Sequence, residues 1–117
     1  MTEITTLDDL DALLAATSER PAFIFKHSTT CPISAGAHRR VQAYIKQVAE
    51  NGGATPEFRI VRVHESRPVS NAIAERLGVV HKSPQLLFVR DGRCVWDTSH
   101  YNITAENIDK ALRERAA

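Results

Sequence analysis

The chain's thiol chemistry rests on two cysteines, Cys31 and Cys94, and their settings differ. Cys31 follows an apolar run, Ala22 to Phe25, and a short polar connection, His27 to Thr30. Pro32 comes directly after it and suits the first turn of a helix, where its missing N–H would have had no partner. Cys31 therefore stands where a strand hands over to a helix N-terminus. Unpaired N–H donors and the positive end of the helix dipole favour thiolate over thiol at that place, which makes the sulfur a nucleophile. A buried structural cysteine is the alternative, and position argues against it. Ser34 stands three residues on, where a dithiol oxidoreductase would carry its second cysteine. A hydroxyl cannot resolve a mixed disulfide, so any adduct on Cys31 needs an outside thiol for release. Ser34 also suits a plain first-turn residue, and the two readings are compatible.

Other residues gather around this thiol by expectation. Ser83-Pro84 precedes an apolar run, and a proline belongs at a strand start because it cannot donate to the ladder. Its peptide bond is trans by default, with cis as the alternative in a tight loop. Lys26, His27, His81 and Lys82 flank the loops expected beside Cys31, where a cation would favour a thiolate and hold an acidic small thiol. The remaining histidines, His38, His64 and His100, read as surface or capping residues, and no histidine is spaced with a cysteine as a metal pair. Cys94 follows the Asp91-Gly92 turn. The strand from Gln85 to Arg90 would carry it about 20 Å from Pro84, at roughly 3.3 Å per residue. A disulfide needs Cα atoms within about 7 Å. Cys94 is expected to be a small core residue opposite Val89 rather than a partner of Cys31.

The elements that must position these groups alternate. Thr6 caps a first helix with Leu7, Leu10 and Leu14 on one face. Pro21 to Lys26 reads as a strand buried on both faces. A helix from Pro32 buries Ile33, Ala37, Val41, Tyr44/Ile45 and Val48, and Asn51-Gly52-Gly53 stops it. Phe58, Ile60, Val61 and Val63 form a second strand, and a helix over about Val69 to Leu77 closes at Gly78. Leu86 to Val89 and Cys94 to Trp96 make a hairpin on Asp91-Gly92. Thr104 caps a last helix carrying Ala105, Ile108 and Leu112. Strands separated by a helix form a parallel βαβ unit, and the hairpin adds an antiparallel pair. The expected fold is α/β, a four-stranded mixed sheet flanked by helices, in one domain over 1–117.

Composition excludes several classes. Lys and Arg number 15 against 14 Asp and Glu, which is no basic excess for nucleic acid. No apolar run approaches the ~20 residues that cross a bilayer, and the acidic start lacks the pattern of a secretory signal. The cytoplasm is the expected location, and cysteines there are kept reduced.

Cys31-Pro32 at a helix start and Ser83-Pro84 before a hairpin resemble the thioredoxin superfamily over nearly the whole chain. The resemblance implies a thioredoxin-like fold with a cis Pro84 packed against Cys31, and a Ser83 backbone that pairs with bound thiols. Phe25 to Ser34, Phe-Lys-His-Ser-Thr-Thr-Cys-Pro-Ile-Ser, is similar to the monothiol bacilliredoxins, with Ser83-Pro84-Gln85 in agreement. It differs from the Cys-Gly-Phe-Ser motif of cluster-carrying glutaredoxins. The family implies reduction of mixed disulfides between bacillithiol, a glucosamine-malate thiol, and protein cysteines. Cys31 would be catalytic, with Thr30, Pro32, Ser34, Ser83 and Pro84 as thiol-binding positions. Lys26 and Lys82 would meet the malate carboxylates, with His27 and His81 nearby. Bacillithiol would be co-substrate with no permanently bound cofactor, and S-bacillithiolated proteins and a regenerating reductase would be partners. The alternatives are a monothiol oxidoreductase using another small thiol, a redox sensor or interaction module modified at Cys31, and a cluster carrier.

Overall fold

The computed structural model describes residues 1–115, so the last two residues of the expected 1–117 domain lie outside the described range. The strands form one mixed sheet in the order β1-β3-β2-β4-β5. These are β1 (Thr2–Glu3), β2 (Ala22–His27), β3 (Glu57–Arg62), β4 (Gln85–Arg90) and β5 (Arg93–Ser99). The helices are α1 (Leu7–Ala16), α2 (Pro32–Glu50), α3 (Arg67–Leu77) and α4 (Ala105–Arg115), with a short 3-10 turn at His100–Asn102.

β2 is central because every residue in it is apolar enough, or paired well enough, to be enclosed; all six are buried. It runs parallel to β3, Phe23 beside Phe58 and His27 beside Arg62. It runs antiparallel to β4, with Lys26 beside Gln85. Alternation along the strand splits the core. Phe23 and Phe25 pack toward α2 and α4 with Val41, Tyr44, Phe88 and Ile108. Ala22 and Ile24 pack toward α1 and α3 with Leu10, Ile73 and Leu87. Phe23 is the hub of the first layer, its ring 4.3 Å from Phe88 and 4.7 Å from Phe58. Truncating such a ring to alanine costs about 3–5 kcal/mol.

Among the described residues the sheet has five strands rather than the expected four. Thr2 and Glu3 pair in parallel with Arg59 and Ile60. A two-residue strand has no period to read. Tertiary bonds hold it instead: Ile4 N–H donates to the Ile60 carbonyl at 2.9 Å, and Arg62 Nε donates to Glu3 Oε2 at 2.7 Å. In α1, Thr6 Oγ1 accepts the Asp9 N–H as expected, but the buried stripe is Leu10 and Leu13, and Leu7 is exposed in the first turn. α3 begins two residues before its expected start and closes on Gly78, whose φ of +65° suits glycine. The hairpin turns on Asp91 and Gly92, at φ 53° and 72°. In α4, Thr104 Oγ1 accepts the Asn107 N–H, Ile108 and Ala111 are buried, and Ala105 is exposed.

Candidate active site

Topology gathers one set of loops at one end of the sheet. β2 and β3 are parallel, so both end there, at His27 and Arg62. β4 is antiparallel to β2 and starts there, at Gln85. β5 returns there, with Ser99 opposite Gln85. The 28–31 loop, the turn from Val63 to Ser66, the 79–84 loop and the 3-10 turn are therefore neighbours. Thr29 Oγ1 donates to Glu65 Oε2 at 3.1 Å, joining two of them. The His100 N–H donates to the Pro84 carbonyl at 3.1 Å, joining two more.

Cys31 is the N-cap of α2, with extended backbone and Pro32 as the first helical residue. It is partly exposed, and it is a free thiol. Its N–H donates to the Ser28 carbonyl at 3.3 Å, and its own carbonyl accepts the Ala35 N–H at 3.0 Å. Its side chain makes no capping hydrogen bond. The sulfur thus sits at the mouth of the helix, held by backbone bonds on both sides.

Ser34 is fully buried. Its Oγ accepts the Ser28 N–H at 2.9 Å and lies 2.7 Å from His27 Nδ1. These contacts tie the 28–31 loop to the first turn of α2. Burial, and then the neighbouring His38, hold the His27 imidazole below the usual histidine range, against a smaller opposing pull from Glu65. In a neutral His27 the tautomer sets which of the two groups donates across this contact. The His38 ring is 4.6 Å from that of His27 and is likewise lowered, by burial and then by the N-terminal ammonium. Both rings border a cavity of about 320 Å³ with Glu3, Thr29 and Arg62.

The other expected site residues divide. Thr30 and Pro32 are exposed beside Cys31. The Ser83-Pro84 bond is cis, Pro84 is buried, and the Ser83 hydroxyl is buried without a hydrogen-bond partner among the described residues. His81 and Lys82 are exposed on the same loop. The Gln85 side chain braces that loop, donating to the Val80 carbonyl at 3.1 Å and accepting the Lys82 N–H at 3.3 Å. Lys26, expected to flank the loops beside Cys31 and to meet an acidic small thiol, is fully enclosed, because strand alternation turns it from the His27 face toward α3. Its Nζ donates to the Ser70 carbonyl at 3.2 Å. Burial lowers its pKa to about 8. Ser34, too, is enclosed rather than open to a bound thiol.

Cys94 lies at the far end. It pairs with Val89, which pairs with Ala22 at the start of β2. Ala22 is five residues, roughly 17 Å, from His27. The Cys94 Sγ donates to the Trp96 carbonyl at 3.2 Å. Burial pushes this thiol up to about 11.

Sequence reading missed the parts played by His38 and Gln85. His38 was open to discovery, since it stands one helical turn beyond Ser34 on the same face. Gln85 stands at a strand end whose loop contacts only the assembled sheet brings together. Among the described residues no group of three or more His, Cys, Asp or Glu side chains could hold a metal, and no helix is long and apolar enough to cross a membrane.

Comparison with known proteins agrees with this geometry. The family model described as monothiol bacilliredoxin BrxC matches residues 2–108. A solved structure described as a candidate oxidoreductase with a thioredoxin fold superposes with a TM-score of 0.80 at 26% identity, covering 94% of this chain and 91% of its own. Thioredoxin from Fasciola hepatica superposes at 0.71 with 20% identity, covering 97% of each chain. Mitochondrial thioredoxin 3 from Saccharomyces cerevisiae does so at 0.70 with 16% identity, covering 97% and 94%. The last two show the fold alone: the chain has the thioredoxin fold.

Proposed function

The chain belongs to the monothiol bacilliredoxin family, and from that premise we propose that it is a thiol–disulfide oxidoreductase that removes bacillithiol from mixed disulfides with protein cysteines. The observation that carries the reading is the state of Ser34. The position of a resolving thiol holds a hydroxyl, and that hydroxyl is buried and bonded to Ser28 and His27. Cys94 is no substitute at the other end of the sheet. One thiol, Cys31, is left to do the exchange.

The Cys31 thiolate attacks the bacillithiol sulfur of the mixed disulfide. The sulfur–sulfur bond breaks, the target cysteine leaves as a thiolate that takes a proton from water, and Cys31 carries bacillithiol. A second bacillithiol thiolate attacks the bacillithiol sulfur on Cys31. This releases oxidised bacillithiol and returns the Cys31 thiolate, and a reductase closes the cycle by reducing that disulfide. Direction follows redox poise, because each exchange is reversible. The buried, unpartnered Ser83 hydroxyl supports a thiol-binding role for the cis-proline loop, since such groups call for an explanation. Thr30, Pro32, Ser83, Pro84 and Lys82 form the rim. The cytoplasm is the proposed compartment, one domain the proposed working unit, and S-bacillithiolated proteins the proposed partners.

The test offers one target protein as bacillithiol and glutathione adducts in a single incubation, with mass spectrometry reading which adduct reaches Cys31. Transfer from bacillithiol over many turnovers is expected. Transfer from glutathione alone rules out the proposed substrate, and a single modification without turnover makes Cys31 a sensor.

A further inference from the structure

Lys26 is a fully buried ammonium whose one hydrogen bond among the described residues goes to a neutral carbonyl, that of Ser70. A buried charge is ordinarily paired or supplied with several acceptors. Ser70 also lines a small pocket of about 70 Å³, bounded by Val63, His64, Arg67, Asn71 and His81. The pocket lies at the same end of the sheet as Cys31. Val63 and His64 follow β3, Arg67 opens α3, and His81 belongs to the loop that leads into cis Pro84. Lys26 and Arg67 are cations, and His64 and His81 can become so. None of the four makes an ion pair among the described residues. The neighbouring carboxylate, Glu65, is taken by Arg62 at 3.3 Å and by Thr29 at 3.1 Å. The charges of Lys26, Arg67 and His64 act together on His81, disfavouring its protonation after burial has done so. The result is an excess of positive charge around a cavity with room for a carboxylate group and not for a sugar ring.

We propose that the pocket bounded by His64, Arg67, Ser70 and His81, with Lys26 beneath it, is an anion subsite that takes a carboxylate of the small thiol carried to Cys31. This rests on the proposed reaction, and it changes the role of Lys26. The lysine acts from below the pocket rather than at the rim, and the direct contacts fall to Arg67 and His81. A bound carboxylate would supply a countercharge to Lys26 and Arg67, which form no ion pair among the described residues. It would also anchor the thiol on the cis-proline side of the site.

The probe is L-malate, titrated into the full chain while the ring proton–carbon signals of His64 and His81 are followed by NMR, with phosphate and chloride as parallel titrants. Saturable shifts of both rings with malate are expected, weakened about tenfold or more in Arg67→Ala and in Lys26→Met, as for loss of a charge-assisted contact. Lys26→Met keeps the length of the side chain without its charge, and Arg67 is exposed, so at least one variant retains the fold. Absence of saturable shifts, or unchanged affinity in a folded Arg67→Ala protein, overturns the subsite. Tighter saturation by phosphate overturns the carboxylate assignment. A second arm compares one peptide carrying bacillithiol or 2-mercaptoethanol. Arg67→Ala should lower the preference in kcat/KM for the bacillithiol adduct about tenfold or more. An equal loss on both adducts places the carboxylate on the peptide and overturns the thiol assignment. If the wild-type protein transfers no bacillithiol, the proposed reaction fails, and the malate titration still decides the subsite by itself.

Discussion

The Oγ of Ser34 lies 2.7 Å from Nδ1 of His27, inside the protein, while accepting the backbone N–H of Ser28. The position that would resolve a disulfide in a dithiol enzyme is here a structural bolt between β2, the active-site loop and α2. Ser34→Ala removes the bolt and leaves a buried N–H and a buried imidazole nitrogen without partners. Each such loss costs about 1–3 kcal/mol. Urea unfolding should show a lower midpoint for Ser34→Ala at neutral pH, with Cys31 still competent for one exchange. An unchanged midpoint would mean the bonds contribute nothing net.

Ser34→Cys asks the complementary question. The new thiol would stand one helical turn from Cys31, the spacing of a dithiol motif. After mild oxidation, intact mass should fall by two hydrogens as an internal disulfide closes. In the reduced Ser34→Cys protein, attack of the new thiolate on a Cys31 adduct should expel the small thiol and close the internal disulfide without added thiol, whereas the wild-type adduct persists until one is supplied. Persistence of the adduct in a folded Ser34→Cys protein would count against the monothiol account.

Much of this arrangement was legible in the residues. The apolar run before Cys31 and Pro32 after it placed the thiol at a helix start. Asp91-Gly92 specified the hairpin, and with it the remoteness of Cys94 and its pairing with Val89. What could not be read depends on assembly. Lys26 alternates with Phe25 and His27 along β2, so its face was predictable, but that α3 would cover it with the Ser70 carbonyl was not. The pocket joining His64 and Arg67 to His81 needs the end of β3 and the cis-proline loop side by side. β1 was invisible because pairing with β3, not local pattern, makes two residues a strand.

Stability should fall on acidification. His27, His38 and His81 are all held below the ordinary histidine value, burial being the first cause in each. The unfolded chain takes up protons near pH 6.5, while the folded protein resists until lower pH. The unfolded state then binds more protons, so stability is intact above about pH 6.5 and is lost progressively as pH drops through the lowered folded values. Urea midpoints measured from pH 7.5 down to pH 5 should decline with that onset. His38→Gln should flatten the decline, since it removes one of the resisting imidazoles and relieves the charge that disfavours protonation of its neighbour His27. A decline of undiminished steepness in His38→Gln would assign the acid response to other groups.

Alkylation should discriminate sharply between the two thiols. Cys94 is half enclosed, donates to the Trp96 carbonyl and is pushed up to about 11. At pH 8 only about one Cys94 sulfur in a thousand is thiolate, and the thiolate is the reacting form. Cys31 sits partly exposed at the mouth of α2, and its side chain makes no capping hydrogen bond. Brief iodoacetamide treatment of the native protein, followed by peptide mass spectrometry, should label Cys31 and leave Cys94 unmodified until denaturant is added. The same asymmetry governs exchange: Cys31→Ala should abolish transfer of a small thiol from a mixed disulfide, and Cys94→Ala should retain it. Loss of transfer in a folded Cys94→Ala protein would require the two sulfurs to meet. Cys94 is level with Val89 and Ala22 in register, at the end of β2 opposite His27, so such a meeting would demand that the hairpin unpair from the sheet.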